Sequence, residues 1–251
     1  MAEHDKNQEQ FDSLADEYVD LALMPAERRA LAMLAPRLAE LEMLDLGIGT
    51  GRTGYTFAPL VRRYVGIDYS QRMIDRARKL LGEGPGVELI RADARDLSSV
   101  EGRFDFVLFS FNGIDAASPD DRLRIIAEVR RLLRPGGWFQ FSSHSLGALP
   151  LSIHPRRDGR PRGSRLRQLE TLLADLRYAR RIRRINARID LAGARERGWV
   201  IVPERGHFRI DDYYVDPGYQ VRQLREAGFE VKAIIDPAGR EVSLPVETDD
   251  P

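Results

Sequence analysis

The sequence predicts a doubly wound α/β fold, in which helices cover both faces of a mostly parallel sheet. Three observations lead to it: short apolar runs of strand length, helical periodicity between successive runs, and glycine or proline at the ends of both. Strands that alternate with helices form βαβ units, whose crossovers are right-handed. The chain of 251 residues, 43% of them hydrophobic, is long enough to bury such a sheet.

The first part of the chain contains the clearest elements. Helices are predicted at 10–23 and 25–41, the second with Pro25 at a favourable first position. Five strands with two intervening helices follow, and Ser70 is a candidate N-cap for the first of these helices. The run at 104–111 is the longest and most apolar, which indicates a central strand buried on both faces. The predicted strands are 43–46, 63–67, 87–91, 104–111 and 138–143, and the helices are 70–81 and 120–133, the latter ended by 135–137.

The alternation is interrupted after the fifth strand. A long helical stretch or a pair of helices is predicted at 165–192, followed by a hairpin with strands at 199–202 and 207–210. The simplest account is a Rossmann-like, seven-stranded, mostly parallel sheet with a helical plus hairpin insertion after the fifth strand. The alternation then resumes with a helix at 217–227 and strands at 229–235 and 242–246.

Composition excludes several classes of protein and of site. The chain has no cysteine, which removes disulfides, thiolate nucleophiles and cysteine metal sites. No apolar run is long enough to span a bilayer, and the N-terminus has no apolar segment typical of a secretory signal, so we expect a cytoplasmic protein. No cluster of His, Asp and Glu has the spacing of metal ligands, so no metal is predicted.

The formal charge of zero conceals an uneven distribution. Residues 155–197 contain 14 arginines, no lysine and five acids, a net charge of +9, so the rest of the chain carries −9. The segment also has an apolar stripe at helical spacing. Three interpretations stay open: an amphipathic helix packed on the acidic body, a cap that binds phosphate or carboxylate through arginine, or a surface for RNA or a membrane. Tyr178 is the one aromatic residue of the segment, which disfavours the third.

A glycine-rich loop at 45–51 follows the first strand and precedes a helix. Glycine there lets the chain turn sharply and lets a ligand approach the backbone amides. Residues 49–54 also match the GxGxxG dinucleotide pattern, which alone is weak. Asp45 opposes a pyrophosphate but suits a cationic ligand, and further acids, Asp68 and Asp93, follow the next two strands.

These features together resemble the class I S-adenosylmethionine-dependent methyltransferases. The resemblance covers residues 44–143 closely and 224–231 loosely. It implies S-adenosyl-L-methionine as the cofactor and a Rossmann-like fold. The motifs, in order, read LDLGIGTG, VGIDYSQRMIDRAR, RADARDL, FDFVLFSFNGID, LLRPGGWF and LREAGFEV.

The resemblance also implies how the cofactor is bound. Its methionine part lies over Gly47, Gly49 and Gly51, with Asp45 near the amino group. The full set of expected cofactor-binding residues is Asp45, Gly47, Gly49, Gly51, Asp68, Tyr69, Met73, Asp93, Ala94 and Ser110.

Three of these residues also have plain structural interpretations. Asp68 is expected to accept hydrogen bonds from both ribose hydroxyls, although the same residue suits a turn at a strand end. Met73 packs on the adenine or simply fills the core. Asp93, with Ala94 beside it, accepts from the adenine amino group unless the nearby Asp96 takes that role.

Methyl transfer from a sulfonium is an in-line displacement, so the protein must align the acceptor and in some cases remove a proton. The candidate catalytic residues are His144, Asn112 and Tyr18. His144 follows the fifth strand and is suited to take a proton near neutral pH, or is instead a hydrogen-bonded structural residue. Asn112 is placed to orient an acceptor, and Tyr18 lies in a helix expected to close over the cofactor. Tyr213 and Tyr214 line the acceptor pocket or pack.

Four segments follow from this account. They are N-terminal helices covering the cofactor site (1–41), the cofactor-binding core (42–145), an arginine-rich insertion or cap (146–215) and a C-terminal completion of the core sheet (216–251). The predicted activity is methyl transfer to an oxygen or nitrogen of a small molecule, and an anionic acceptor is one option left open by the arginine-rich segment. The alternatives are an RNA or protein methyltransferase, a catalytically silent cofactor-binding module, and an NAD-dependent oxidoreductase. The tetrapeptide of adenine and glutamine methyltransferases is missing, since residues 110–113 read SFNG.

Overall fold

The computed structural model describes residues 21–82, 84–149, 176–177, 179–205 and 210–243. Within these ranges the main sheet has five strands, all parallel, in the order β3-β2-β1-β4-β5. The reversal of strand order lies between β1 and β4, where ligands bind in sheets of this kind. The strands are β1 Glu42–Leu46, β2 Arg63–Asp68, β3 Val87–Arg91, β4 Phe104–Phe109 and β5 Leu133–Phe141.

Helices cover both faces of this sheet, as predicted. The side chain of Ser70 accepts a hydrogen bond from the backbone N–H of Met73, which confirms the predicted N-cap of α3. Ser118 caps α4 in the same way. The helices are α1 Pro25–Leu34, α2 Arg52–Phe57, α3 Gln71–Leu81, α4 Pro119–Leu132, α5 Leu191–Arg197 and α6 Pro217–Glu226, together with helical residues 176–177 and 179–186, called here the arginine helix.

The core consists of two apolar clusters, one on each face of the main sheet. Successive residues of β4 alternate between them, because side chains of a strand point to opposite faces. Val107 enters the cluster under α4, whereas Phe106 and Leu108 enter the cluster under α1 and α3. Every residue of β4 except Asp105 is buried, which confirms the predicted interior strand.

Two predicted helices have different ends in the structure. The predicted helix at 25–41 is divided into α1 and a 3₁₀ helix, Ala35–Glu40, because Pro36 has no N–H to continue the α-helical pattern. Helix α4 ends at Leu132, before the predicted stop, because Leu133 already pairs with Phe104 in the sheet.

The prediction of seven strands in one sheet is wrong for the described residues. Residues 229–233 form no strand, and β9 (Ile234–Ile235) pairs with β10 (Glu241–Val242) as a separate antiparallel ribbon. The carboxylate of Asp236 accepts hydrogen bonds from the backbone N–H groups of Ala238 and Arg240, and this tight turn reverses the chain after two residues of β9.

A third, small sheet combines the end of the core with the insertion. Strands β7 (Trp199–Arg205) and β8 (Ile210–Val215) are antiparallel, and β6 (His144–Ser145) pairs parallel to β8. Of the predicted second strand at 207–210, residues 207–209 lie outside the described residues, and Ile210 begins β8, which continues through Tyr213 and Tyr214 to Val215. The predicted helix at 10–23 lies mostly outside the described residues.

In the described part of the chain, no helix combines the length and hydropathy needed to cross a membrane.

Candidate active site

The glycine loop that follows β1 turns at the carboxyl end of the main sheet. Gly47 and Gly49 both have left-handed backbone conformations, with φ of +61° and +55°. A Cβ added to Gly47 would lie 2.9 Å from the ring of Phe109, whereas a Cβ added to Gly49 would meet no atom within 4 Å. Gly47 therefore allows close packing against β4, and Gly49 leaves backbone open to a ligand.

Asp68 ends β2 and is tied to the glycine loop. Its two carboxylate oxygens accept hydrogen bonds from the backbone N–H groups of Gly49, at 3.0 Å, and Ser70, at 2.9 Å. The residue is 6% exposed, so its orientation is fixed by these bonds. Because each carboxylate oxygen accepts more than one hydrogen bond, this arrangement suits a ligand with two neighbouring hydroxyls.

Asp45 is a buried carboxylate beneath the same loop. Its Oδ2 accepts hydrogen bonds from Thr53 Oγ1 at 2.5 Å and Tyr64 OH at 2.7 Å. Its Oδ1 has no hydrogen-bond partner among the described residues. Burial raises the pKa of Asp45 to about 7, although the bonds from Thr53 and Tyr64 act in the opposite direction. A buried carboxylate oxygen without a donor fits a cationic group such as an ammonium.

Arg52 and Glu27 form a buried ion pair that the sequence analysis missed. Both guanidinium nitrogens of Arg52 bind the Glu27 carboxylate, at 2.6 and 2.7 Å, and one also donates to Ser110 Oγ at 2.9 Å. Burial opposes the charge of Glu27, but the bonds from Arg52 and Ser110 outweigh it, so the pKa of Glu27 is lowered. The pair fastens α1 to the glycine loop and occupies Ser110, a predicted cofactor contact.

The sequence marks one partner of this ion pair more clearly than the other. Arg52 lies inside the GxGxxG-like pattern at 49–54, which draws attention to its position. Glu27 is one acid in an amphipathic helix, and only tertiary packing shows its partner.

The loop after β3 holds the predicted adenine residues. Arg95 binds both carboxylate oxygens of Asp93, at 2.6 to 3.1 Å. Asp96 is exposed, and its Oδ1 accepts a hydrogen bond from the backbone N–H of Ser98. Met73 is 5% exposed and lies in α3, at the carboxyl end of β2. The remaining predicted contacts, Tyr69 and Ala94, are half-buried.

A second polar cluster joins the ends of β4 and β5. Asp115, fully buried in the 3₁₀ helix after β4, lies between Arg122 and His144. Its Oδ1 accepts from Arg122 at 2.5 Å and from Ser143 Oγ at 2.6 Å. Its Oδ2 accepts from the His144 backbone N–H at 2.6 Å and lies 2.8 Å from His144 Nδ1. The structure thus brings together two predicted candidates, His144 and Asn112, whose Nε2 and Nδ2 atoms are 3.1 Å apart.

The backbone beside this cluster is strained. Phe111 and Asn112 are consecutive non-glycine residues with positive φ, 53° and 56°. Such strain is concentrated at functional sites, and here it follows β4 directly. Tyr214 stacks on the His144 ring with centroids 4.9 Å apart, so the insertion contributes a wall to the cluster. Tyr18 lies outside the described residues.

The arginine helix has two distinct faces. Ile185 packs on a small apolar cluster that includes Leu149, Val202 and Tyr214. A groove beside it is lined by arginines together with Ile185: Arg177, Arg180, Arg181, Arg184 and Arg188. Four of these arginines, Arg177, Arg180, Arg184 and Arg188, are exposed. No group of three or more His, Asp or Glu suited to a metal lies within the described ranges.

Comparison with known proteins agrees with this geometry. Residues 43–137 match the family described as "Methyltransferase domain". The chain is 32% identical over 126 residues to the demethylmenaquinone methyltransferase of Clavibacter sepedonicus, covering 50% of this chain and 49% of that protein. The chain spans about half the length of the curated relatives it matches.

Solved structures share the fold over most of the chain. An S-adenosylmethionine-dependent methyltransferase from Clostridium acetobutylicum has a TM-score of 0.57 at 16% identity, covering 93% of this chain and 91% of that one. One from Mesorhizobium loti has a TM-score of 0.54 at 22% identity, covering 82% of each chain. At these identities the likeness establishes the Rossmann-like fold.

Proposed function

We propose that this chain, whose residues 43–137 form a class I S-adenosylmethionine-dependent methyltransferase domain, transfers a methyl group to an oxygen or nitrogen of a small molecule. The observation that carries the proposal is the partnerless Oδ1 of Asp45, buried beneath an open glycine loop. It fits the ammonium of S-adenosyl-L-methionine, and Asp68 fits the ribose diol. The Clavibacter relative is named for a small-molecule acceptor, which supports the substrate class.

The bound cofactor supplies an electrophilic methyl group and the positive charge that drives its transfer. The residues of this chain bind and orient it. Gly49 lets the backbone approach the ligand, and Asp45 and Asp68 hold its two polar ends. The Glu27–Arg52 pair keeps α1 against the loop, which excludes water from this side of the site.

On the acceptor side, His144 is the candidate proton acceptor and Asn112 the candidate orienting group. Asn112 follows β4, the sheet neighbour of β1, and His144 follows β5, the next strand beyond β4, with 3.1 Å between Asn112 Nδ2 and His144 Nε2. We further propose that the insertion at 146–215 caps the acceptor and that the arginine groove binds an anionic part of it. This is supported by the packing of the arginine helix on the cluster that contains Tyr214, the residue stacked on His144.

Calorimetric titration with S-adenosylmethionine tests the proposed cofactor site. Asp68→Ala should bind at least tenfold more weakly than wild type, because two hydrogen-bond acceptors for the ribose are lost. Asp120→Ala, a change of an exposed aspartate in the first turn of α4 with no predicted cofactor contact, is the control and should bind as wild type does. Equal affinity of Asp68→Ala and wild type would overturn the assignment.

A further inference from the structure

We propose that Asp115 and Arg122 are positioning residues that hold His144 with its proton on Nδ1, so that Nε2 accepts the proton of an acceptor hydroxyl. The inference deepens the proposed function and rests on it for the identity of the reaction. It assigns roles to two residues that are neither predicted cofactor contacts nor predicted catalytic residues, and it names the class of acceptor group.

The Asp115 carboxylate is surrounded by hydrogen-bond donors. Three groups donate to its two oxygens within 2.6 Å: Arg122, Ser143 Oγ and the backbone N–H of His144; the ring Nδ1 of His144 lies 2.8 Å from Oδ2. The carboxylate is fully buried, and an ionised carboxylate is only an acceptor. Every group that touches it must therefore present a hydrogen.

This arrangement assigns the ring protons of His144. Since Nδ1 lies 2.8 Å from an acceptor-only oxygen, the favoured neutral tautomer has its proton on Nδ1. Nδ1 and Asp115 Oδ2 are close but poorly aligned for a hydrogen bond, as catalytic pairs in free enzymes often are. In this tautomer Nε2 carries the lone pair. Asn112 Nδ2, an amide donor 3.1 Å from Nε2, favours the same tautomer, and an acceptor hydroxyl would have to replace this contact; the ring is 30% exposed.

The charge beside His144 is balanced by Arg122. A lone buried carboxylate beside a histidine would hold it as a cation, which accepts no further proton. Arg122 prevents this by neutralising Asp115 at 2.5 Å, itself 1% exposed and held by Gln220 at 2.6 Å. Tyr213 lies against the guanidinium at 4.2 Å from ring centroid to Cζ. The resting imidazole can therefore be neutral and ready to take a proton.

The acceptor class follows from the chemistry of the step. A neutral amine attacks a methyl group with its own lone pair, whereas a hydroxyl is a poor nucleophile until its proton is removed. In the proposed step the acceptor O–H proton moves to His144 Nε2 and the oxygen forms a bond to the methyl carbon. The methyl–sulfur bond breaks, and its electron pair stays on sulfur, which loses its positive charge. The imidazolium then returns the proton to solvent.

Nitrogen NMR of the histidine rings tests the inference in the free protein. The chain has four histidines, and the His144 signals are assigned by their loss in His144→Gln. At alkaline pH we expect a protonated Nδ1 and an unprotonated Nε2 in wild type. In Asp115→Asn the new amide can donate to Nδ1, so we expect the proton to move to Nε2, as a similar exchange does in serine proteases. Asp120→Asn, at an exposed aspartate, should leave the tautomer unchanged.

The wild-type spectrum keeps the inference falsifiable if Asp115→Asn fails to fold. A wild-type His144 with its proton on Nε2, or one that stays cationic at alkaline pH, would overturn it. Titration of the same samples with S-adenosylmethionine separates the two proposals. Loss of cofactor binding in wild type contradicts the proposed function, whereas tight binding with the wrong tautomer contradicts only the roles of Asp115 and Arg122.

Discussion

At the scale of single residues, the site is governed by buried charges that differ in how they are compensated. Glu27 and Arg52 neutralise each other, as do Asp115 and Arg122. Asp45 accepts hydrogen bonds from two hydroxyls, and no cationic group of the described residues lies within hydrogen-bond distance of its carboxylate. This difference predicts that Asp45 makes the stability and the ligand affinity of the protein depend on pH.

The free energy of unfolding should fall as the pH rises from about 4 to 7. In this range Asp45 is deprotonated in the unfolded chain but still protonated in the folded one, because its folded pKa is about 7 against an ordinary value of 3.8. The folded state therefore binds more protons, and raising the pH removes stability on the order of 4 kcal/mol. Urea unfolding of wild type and Asp45→Asn at several pH values measures this. An unchanged pH dependence in Asp45→Asn would contradict the assignment.

Affinity for S-adenosylmethionine should show the opposite trend. An ammonium favours the ionised carboxylate, so the association constant should rise about fivefold between pH 6 and 7 as the ionised fraction of Asp45 grows. Calorimetry in buffers of different pH gives the slope. Asp45→Asn should bind weakly with no such rise, and a parallel rise in the variant would argue against this role.

Gly47 and Gly49 provide a matched pair, because their φ values differ by only a few degrees. Alanine at either site should lower the free energy of unfolding by about 1 kcal/mol, because a residue with a Cβ disfavours the left-handed conformation. Gly47→Ala should lose more stability, since its Cβ would lie 2.9 Å from Phe109. Gly49→Ala should keep most of its stability yet lose cofactor affinity, because its Cβ would fill the open space. Thermal unfolding and calorimetry separate the two effects, and full affinity in Gly49→Ala would refute the ligand-approach role.

At the scale of elements, the buried Glu27–Arg52 ion pair joins α1 to the start of α2, directly after the glycine loop. Glu27→Gln leaves Arg52 buried without its counter-charge and should cost about 3–5 kcal/mol. Glu40→Gln, at an exposed acid following α1, is the control and should change stability by less than about 0.5 kcal/mol. Urea unfolding measures both, and a Glu27→Gln variant as stable as the control would contradict the attachment.

The arginine helix makes a separate prediction about anions. Inorganic pyrophosphate should bind to wild type in calorimetry, and Arg180→Gln/Arg184→Gln should weaken it at least tenfold, because two fork donors of the groove are removed. Arg183→Gln removes an exposed arginine of the same helix outside the groove and should have little effect. Equal losses in both variants would indicate general charge attraction. Strong, salt-dependent binding of single-stranded RNA instead would favour the RNA alternative.

The elements also show how far sequence reasoning reaches. Strand β3 was predicted with its observed bounds and β1 and β2 to within one residue, because buried strands are short apolar runs bounded by polar residues. The extension of β8 through Tyr214 was not predicted, because Tyr214 pairs with His144 at the end of the core, a long-range contact that periodicity does not contain. The Glu27–Arg52 and Asp115–Arg122 pairs were missed for the same reason: each joins segments that only the fold brings together.

At the scale of the whole molecule, the formal charge of zero is the sum of a basic insertion and an acidic remainder, to which we assign separate functions. The main sheet places acidic groups at the carboxyl ends of β1 and β2, where a cationic cofactor fits. The insertion supplies the wall of the His144 cluster on one side and an arginine groove on the other. We therefore expect the cofactor and the methyl acceptor to bind next to each other, between the glycine loop and His144.

A crystal structure with S-adenosylhomocysteine tests this central claim most directly. It should show the ligand's ammonium against Asp45 Oδ1, its ribose hydroxyls on Asp68, and its sulfur directed toward the space beside His144 Nε2. A ligand bound elsewhere, or one whose sulfur faces away from His144 and the end of β5, would contradict it.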